Sequence, residues 1–369
     1  MKQYHELLSN ILDTGDRKQP ARANMPGSIS LFGAQLEHDF SQGFPLLTTK
    51  RMGFNSVVVE LLWFMSGRTN VKWLVDRGVQ FWNEDAYAYY CRLASANSDQ
   101  YNDVMLDNGD GSLRMYTFDE FSSMLNDCTE EALPRVEGYV LGDCGNQYGK
   151  TWRNLDGSYD QLAKFIEQAK TNPESRRHVL SSIDAKNDED LALYWCHSLF
   201  QLNFVKCTHE YRKNLYLSDP KFPTIASTVE LTESYLDEHK VPRYFIDSKL
   251  YQRSADVFLG VPMNIASYAL LTHIVAMMTN TIPRKYIHTF GDVHIYTNHI
   301  DAVETQLARS PYNLPRLNLS RLENFDWSAP LDQLIDNLIA RHKELKDKCL
   351  IDYQSHPAIR AVLSTGITK

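Results

Sequence analysis

A mixed α/β (α+β) fold is predicted by three observations. Segments 56–66 and 264–278 read as helices that are apolar all round, so they belong inside a core rather than on a surface. Segments 28–40 and 291–296 alternate in the manner of half-buried strands. The chain has 369 residues with an ordinary balance of charged, aromatic and aliphatic side chains, ample for one large core. That balance excludes intrinsic disorder, collagen-like structure and a coiled-coil rod.

The elements follow in order. Residues 1–15 read as an amphipathic helix with Tyr4, Leu7, Leu8 and Ile11 on one face, stopped at Gly15. Residues 16–24 form a polar loop before Pro26 and Gly27, and 28–40 reads as one strand ended by the turn Gly43-Phe44-Pro45. The apolar helix over 56–66 carries Glu60 in its middle, and the second, over 264–278, opens on Asn264. Near the C-terminus Leu331, Leu334, Ile335, Leu338 and Leu345 make a surface-helix stripe. Two stretches, at about 88–135 and 207–246, are unusually polar and read as surface insertions on a single domain spanning 1–369, each too short and polar to bury a core of its own.

Charge and cysteine content narrow the function classes. Lys+Arg number 38 against 46 Asp+Glu, a net −8, which argues against a broad phosphate-tracking surface and hence against a required nucleic-acid partner. A small local Arg cluster stays compatible with that balance. No stretch is expected to approach the ~18 uncharged apolar residues of a membrane span, and 1–15, with Glu6 and Asp13, does not resemble a targeting peptide. The six cysteines are scattered without a C-x-x-C pair, so reduced thiols, a cytoplasmic setting and no metal are expected.

Several residues can do chemistry. A carboxylate in a helix with no polar face, Glu60, must be neutral, paired or hydrogen-bonded; it is either a structural partner of an Arg or an acid/base group with an environment-tuned pKa. Cys196, in Tyr194-Trp195-Cys196-His197, becomes a nucleophile only if an Arg or a protonated His favours its thiolate, and is otherwise a small core residue. Arg176-Arg177 is either a solvated pair or a bidentate clamp for a phosphate monoester. In Gly291-Asp292-Val293-His294-Ile295-Tyr296 the alternation puts His294 and Tyr296 on one side of a strand, to hold a sugar hydroxyl or to cross-link a core.

Taken together the motifs decide. Glu-Leu-Leu-Trp-Phe (60–64), Tyr-Gly-Lys (148–150), Ser-Arg-Arg (175–177), Cys-His (196–197), the run YQRSADVFLGVPMNIASY (251–268) and Gly-Asp-x-His-x-Tyr (291–296) occur in this order. With FGAQLEHDFSQGFPLLTTKR (32–51) and His-Pro-Ala-Ile-Arg-Ala (356–361), they closely resemble the thymidylate synthase family, over most of the chain outside the two polar stretches.

The resemblance implies a large twisted mixed sheet with helices on one face and a partner subunit's sheet on the other. It implies transfer of a one-carbon unit from the co-substrate 5,10-methylenetetrahydrofolate to C5 of dUMP. Cys196 would add to C6, making C5 enolate-like. Arg253 would sit beside Cys196 and touch the phosphate, Glu60 would manage protons at the base O4 and the folate, and Tyr148 and His197 would belong to the same hydrogen-bond network. Gln252, Arg253, Ser254 and Arg22 would bind nucleotide from one subunit and Arg176 and Arg177 from the other, making the homodimer part of the site. His294 and Tyr296 would hold the ribose 3′-hydroxyl. Asp256 would serve both nucleotide and pterin, and Trp82, Leu193, Leu259, Gly260 and Ser364 would face the folate. Asn264, where cytosine-specific relatives carry Asp, implies a uracil base.

The chain departs from the family pattern in four places. The phosphate loop reads RANMPGS from Arg22; Trp195, expected to set its indole against the reacting base or folate, stands where Pro precedes the nucleophile; Gly53 stands for a His; and the tail from Val362 is atypical. These cluster on the folate side, where the reaction branches. Hydride transfer from tetrahydrofolate gives dTMP and dihydrofolate; attack by water gives 5-hydroxymethyl-dUMP and tetrahydrofolate. The synthase is the first reading and the hydroxymethylase the second. A catalytically silent nucleotide- or RNA-binding relative is the third, disfavoured by the joint presence of Cys196, Glu60, Arg253 and Asn264.

Overall fold

The computed structural model describes residues 2–19, 25–226 and 228–364. A seven-stranded sheet forms its centre, in the order Asp16–Lys18, Ser28–Phe32, Ile282–Tyr296, Tyr244–Asp256, His197–Lys206, Val179–Ser181, with Gln35–Asp39 pairing the first half of Ile282–Tyr296. The two longest strands run parallel, the other pairings antiparallel. Antiparallel neighbours need only tight turns, whereas a parallel pair needs a crossover. Here the crossover is the helix Gly260–Thr279, which packs on both parallel strands and against the helix Phe54–Met65.

Both apolar helices are buried along their length, which is why neither shows a polar face. Gly260–Thr279 corrects one expectation: it is uncharged and, by length and composition, apolar enough to cross a membrane. Its surroundings here are protein: the most apolar window is 83% buried. The N-terminal helix, Lys2–Thr14, buries Tyr4, Leu7, Leu8 and Ile11, and the Gly15 N–H caps it on the Ile11 carbonyl at 3.0 Å. The single strand expected over 28–40 is two strands, broken at Gly33. Gly33 has φ +91°, a conformation open to glycine, and its N–H bonds the Gly291 carbonyl at 2.9 Å. The C-terminal stripe is buried by Leu334, Ile335, Leu338 and Leu345, the first three on Leu331–Ala340 and Leu345 beyond it.

The second polar stretch has a small core of its own, contrary to expectation, whereas the first adds its apolar side chains to the main core. In the first, Tyr90, Tyr101, Val104, Tyr116, Phe121 and Leu125 join the main core, with the Tyr90 hydroxyl donating to the Val104 carbonyl (2.9 Å). In the second, Tyr216, Leu231, Leu236 and Val241 form a separate small core. Beside it the buried Arg212 is paired with Glu233 and, at 2.7 Å, with Asp237. Aromatic residues bury so much area each that a few of them suffice in a polar segment, and the paired Arg212 shows how a charge enters such a core.

Candidate active site

The strand His197–Lys206 begins immediately after Cys196, and the neighbouring strand brings Arg253 alongside: the Arg253 N–H bonds the Cys196 carbonyl at 2.9 Å, and Gln252 pairs with His197 in register. The Arg253 guanidinium is fixed by the Trp195 carbonyl (2.7 Å) and the Tyr194 carbonyl (2.8 Å), and lies over the Tyr194 ring. From there its Nη2 reaches 3.7 Å from Cys196 Sγ. Burial raises the thiol pKa, Arg253 pulls it down, and Asp85 pushes it up again. Tyr148 anchors the same turn, its hydroxyl oxygen accepting the N–H groups of Cys196 (2.8 Å) and His197 (3.2 Å) while its ring stacks on the His197 imidazole. Burial lowers His197 to about 4, opposed by its hydrogen bond to Asn264, so the ring is neutral at physiological pH.

Glu60 is buried, and its Oε1 accepts the Trp82 indole N–H at 2.8 Å. Burial raises its pKa from 4.5 to about 7, with the indole bond acting in the opposite sense. It has no salt bridge among the described residues and is poised to give or take a proton. A folded-state pKa above the unfolded value means that the native chain holds this proton more tightly, so Glu60 favours folding less and less as pH rises from 4.5 through about 7. In urea titrations, Glu60→Gln is expected to gain stability relative to wild type across that window, by on the order of 1–3 kcal/mol at its upper end. Equal pH profiles for the two proteins would disprove the shift.

The sugar and phosphate candidates lie further along the same strands. Asp256 pairs in register with His294, and Ser254 with Asp292. Asp292, held near 2 by its bonds to His294 and Lys18, fixes the His294 ring through Nδ1 at 2.9 Å. The Tyr296 ring lies edge-on to that of His294. Asp256 Oδ1 receives the N–H groups of Phe258 (2.9 Å) and Leu259 (3.1 Å), shaping the entry to the long helix where Gly260 and the buried Asn264 stand one turn apart. The tail reaches this corner, since the Val362 carbonyl accepts from His299 Nε2 at 2.8 Å and His299 lies beside Asp256. Ser364 Oγ is buried and has no partner among the described residues.

Cys196, Arg253, Tyr148, His197 and Asn264 are thus gathered by direct contacts, as are Glu60 with Trp82 and Asp256 with Leu259. Gln252 is buried and engaged, with Oε1 on His288 and its amide on the Ser254 carbonyl. Leu193 is 38% exposed, and its carbonyl accepts from Gln147. Arg176 and Arg177 are exposed at the sheet edge, and neither guanidinium has a partner among the described residues. Arg22 lies outside the described residues, as does the tail from Thr365. One reading is corrected: the Trp195 indole does not face the reacting base or folate. It is fully buried and bonded to the Asn146 carbonyl at 2.9 Å, because neighbouring residues in extended chain point to opposite sides.

Sequence reasoning missed Tyr194, the platform under Arg253, and Asp85. It also missed Lys50, whose ammonium, lowered to about 8 by burial, bonds the Phe258 carbonyl over the Phe258 ring. Lys50 lay within the matched stretch 32–51 and was recoverable there. Among the described residues no group of His, Cys, Asp and Glu has the arrangement of a metal site.

Residues 2–365 match the family model described as thymidylate synthase. The chain belongs to the thymidylate synthase family. Among curated relatives, the thymidylate synthase of Listeria monocytogenes serotype 4b is 37% identical, over 99% of this chain and 100% of its own. That of Mycoplasma mobile is 36% identical over 98% and 99%, and that of Staphylococcus haemolyticus 36% over 98% and 97%. The thymidylate synthase match runs through both polar stretches and through the strands His197–Lys206 and Tyr244–Asp256.

Proposed function

We propose that this member of the family makes dTMP and dihydrofolate from dUMP and 5,10-methylenetetrahydrofolate, as a reduced, cytoplasmic enzyme on one catalytic domain carrying two insertions. The observation that carries the reading is Cys196 with the Arg253 guanidinium at 3.7 Å from its sulfur, on a turn anchored by Tyr148, with Asn264 bonded to the adjoining His197.

Cys196 attacks C6 of the uracil as thiolate, with Arg253 supplying the opposing charge. Glu60, titrating near 7, delivers and recovers the proton at O4 as the enolate forms and collapses. Asn264, in contact with the neutral His197, offers one acceptor and two donors, which suits the N3–H and O4 edge of uracil. His294, oriented by Asp292, and Tyr296 take the 3′-hydroxyl, while Ser254 joins Arg253 at the phosphate. Three buried polar atoms without partners among the described residues, Gln147 Oε1, His197 Nδ1 and Ser364 Oγ, are open for substrate or water, which fits two polar ligands. Asp256, Trp82, Leu193, Leu259, Gly260 and the tail at Ser364 are the proposed folate wall. The test is one incubation of the chain with dUMP and methylenetetrahydrofolate, reading dihydrofolate absorbance and nucleotide mass. Dihydrofolate with a methylated nucleotide supports the reading; no modified nucleotide refutes it.

We also propose a homodimer whose phosphate site takes Arg176 and Arg177 from the neighbouring subunit. Their guanidinium groups, without partners among the described residues, support this, as does the exposure of Phe32, Val179 and Tyr251 on the strands. Mixing inactive Cys196→Ala chains with inactive R176A/R177A chains is expected to restore activity, because the hybrid holds one intact site. Recovery of no activity after verified subunit exchange would place all phosphate ligands on one chain.

A further inference from the structure

The helix Asn83–Ala96 carries a carboxylate that the reaction above does not use. Asp85 follows Trp82, the partner of Glu60, by three residues and precedes Tyr89 by four, so the three share a helix face. That face meets the segment leading to the nucleophile. The Tyr89 hydroxyl donates to Asp190, and a Cβ on Gly145, at φ +67°, would fall 2.7 Å from that hydroxyl. Segments 144–147 and 190–196 are strapped together by Ala192 N–H on the Cys144 carbonyl (2.9 Å), Asn146 N–H on the Asp190 carbonyl (2.7 Å) and Gln147 Nε2 on the Leu193 carbonyl (2.8 Å). Asp85 is near enough to Cys144 and Cys196 for its charge to bear on both thiols.

Asp85 has no hydrogen-bond or ion-pair partner among the described residues, and burial, reinforced by Glu84, raises it to about 7. A largely desolvated carboxylate without a protein partner is met by water. Gln147 Oε1 and His197 Nδ1, near the nucleophile and also unpartnered, give such water further anchors.

We propose that Asp85 is the acid–base residue of a second outcome at this site, in which water captures the one-carbon unit and 5-hydroxymethyl-dUMP is released alongside dTMP. The inference rests on the dUMP reading above. After tetrahydrofolate leaves as the amine, C5 carries an exocyclic methylene and C6 the Cys196 sulfur. The water oxygen bonds the methylene carbon, Asp85 takes the water proton, and the electron pair of the exocyclic double bond passes to the C5–C4–O4 enolate. Collapse of the enolate restores the 5,6 double bond and expels the Cys196 thiolate. Nothing is oxidised or reduced, so tetrahydrofolate is the co-product, in contrast to dihydrofolate on the methyl branch.

The test uses the full chain, dUMP and methylenetetrahydrofolate in ¹⁸O-water, with nucleotide masses read for wild type, Asp85→Asn, Asp85→Ser and Asp85→Glu. Wild type is expected to give ¹⁸O-labelled 5-hydroxymethyl-dUMP besides dTMP. In D85N and D85S the hydroxymethyl-to-methyl ratio is expected to fall about a hundredfold, and D85E to recover most of it; a ratio is indifferent to the amount of folded protein. Formation of dTMP without the hydroxymethyl product in wild type, or an unchanged ratio in both D85N and D85S, overturns the proposal and leaves the synthase reading intact. Absence of any change at C5 in wild type overturns both.

Discussion

Cys196→Ala is expected to abolish turnover of dUMP, lowering kcat on the order of 10⁴-fold or more, with the fold intact. The sulfur is half-buried, and its contacts are weak: Arg253 Nη2 at 3.7 Å and the Tyr194 carbonyl at 3.6 Å. Its loss should therefore cost stability under about 1 kcal/mol. The turn around it is held by backbone N–H groups on Tyr148 and by the Arg253 backbone, none of which the substitution touches. What disappears is the group that makes C5 nucleophilic, and no other thiol is placed to replace it: Cys144 is buried and raised further by Asp143 and Asp85. Release of tritium from C5-labelled dUMP is the direct measure, since that proton leaves only after addition at C6. Loss of release with an unchanged urea midpoint supports the assignment. Retained release would make Cys196 a bystander, and function unchanged in every assay would favour a silent binding scaffold.

How much of this was visible in the sequence depended on whether one residue's neighbours in the chain were also its neighbours in space. The helices Phe54–Met65 and Gly260–Thr279 were legible because burial on all sides leaves no polar face, a property of each segment alone. His294 and Tyr296 fell on one side of a strand for the same local reason, and their rings do meet. The break at Gly33 was hidden because alternation continues through it, while the positive φ belongs to the sheet that both halves join. Trp195 was misread because adjacency to the nucleophile says nothing about which side an indole takes. Asp85 was hidden more deeply. An acidic residue in a helix's first turn reads as a solvated dipole partner, and only the packing of Tyr89 against Asp190 and Gly145 brings that turn up to the nucleophile. Arg176 and Arg177 show the opposite limit: under the proposed homodimer they serve the neighbouring subunit, and residues of that kind look idle in their own chain.

Asn264→Asp is expected to reverse the base preference. Asn264 is buried at 7% exposure, one turn into the long helix, with His197 as its neighbour. Its carboxamide presents a donor and an acceptor together, the complement of uracil O4 and N3–H. A carboxylate presents acceptors only: it keeps the N3–H bond but sets two acceptors against each other at O4. An unmade bond to a charged buried group costs about 3 kcal/mol or more, so kcat/KM for dUMP should fall on the order of 10²-fold or more. Cytosine has an amino donor at C4 and an unprotonated N3, so a protonated carboxyl accepts from the amino group and donates to N3, and dCMP should become a substrate. The same substitution places an acid against His197, whose neutrality at about 4 rests on burial outweighing the Asn264 hydrogen bond. A neighbouring carboxylate favours the imidazolium and should raise the His197 pKa, which NMR titration of the ring can follow. Paired kcat/KM measurements on dUMP and dCMP decide the matter. A preference for dUMP that survives in N264D, with the His197 pKa raised, would mean that the base edge is read by other groups while Asn264 serves only to keep the histidine neutral.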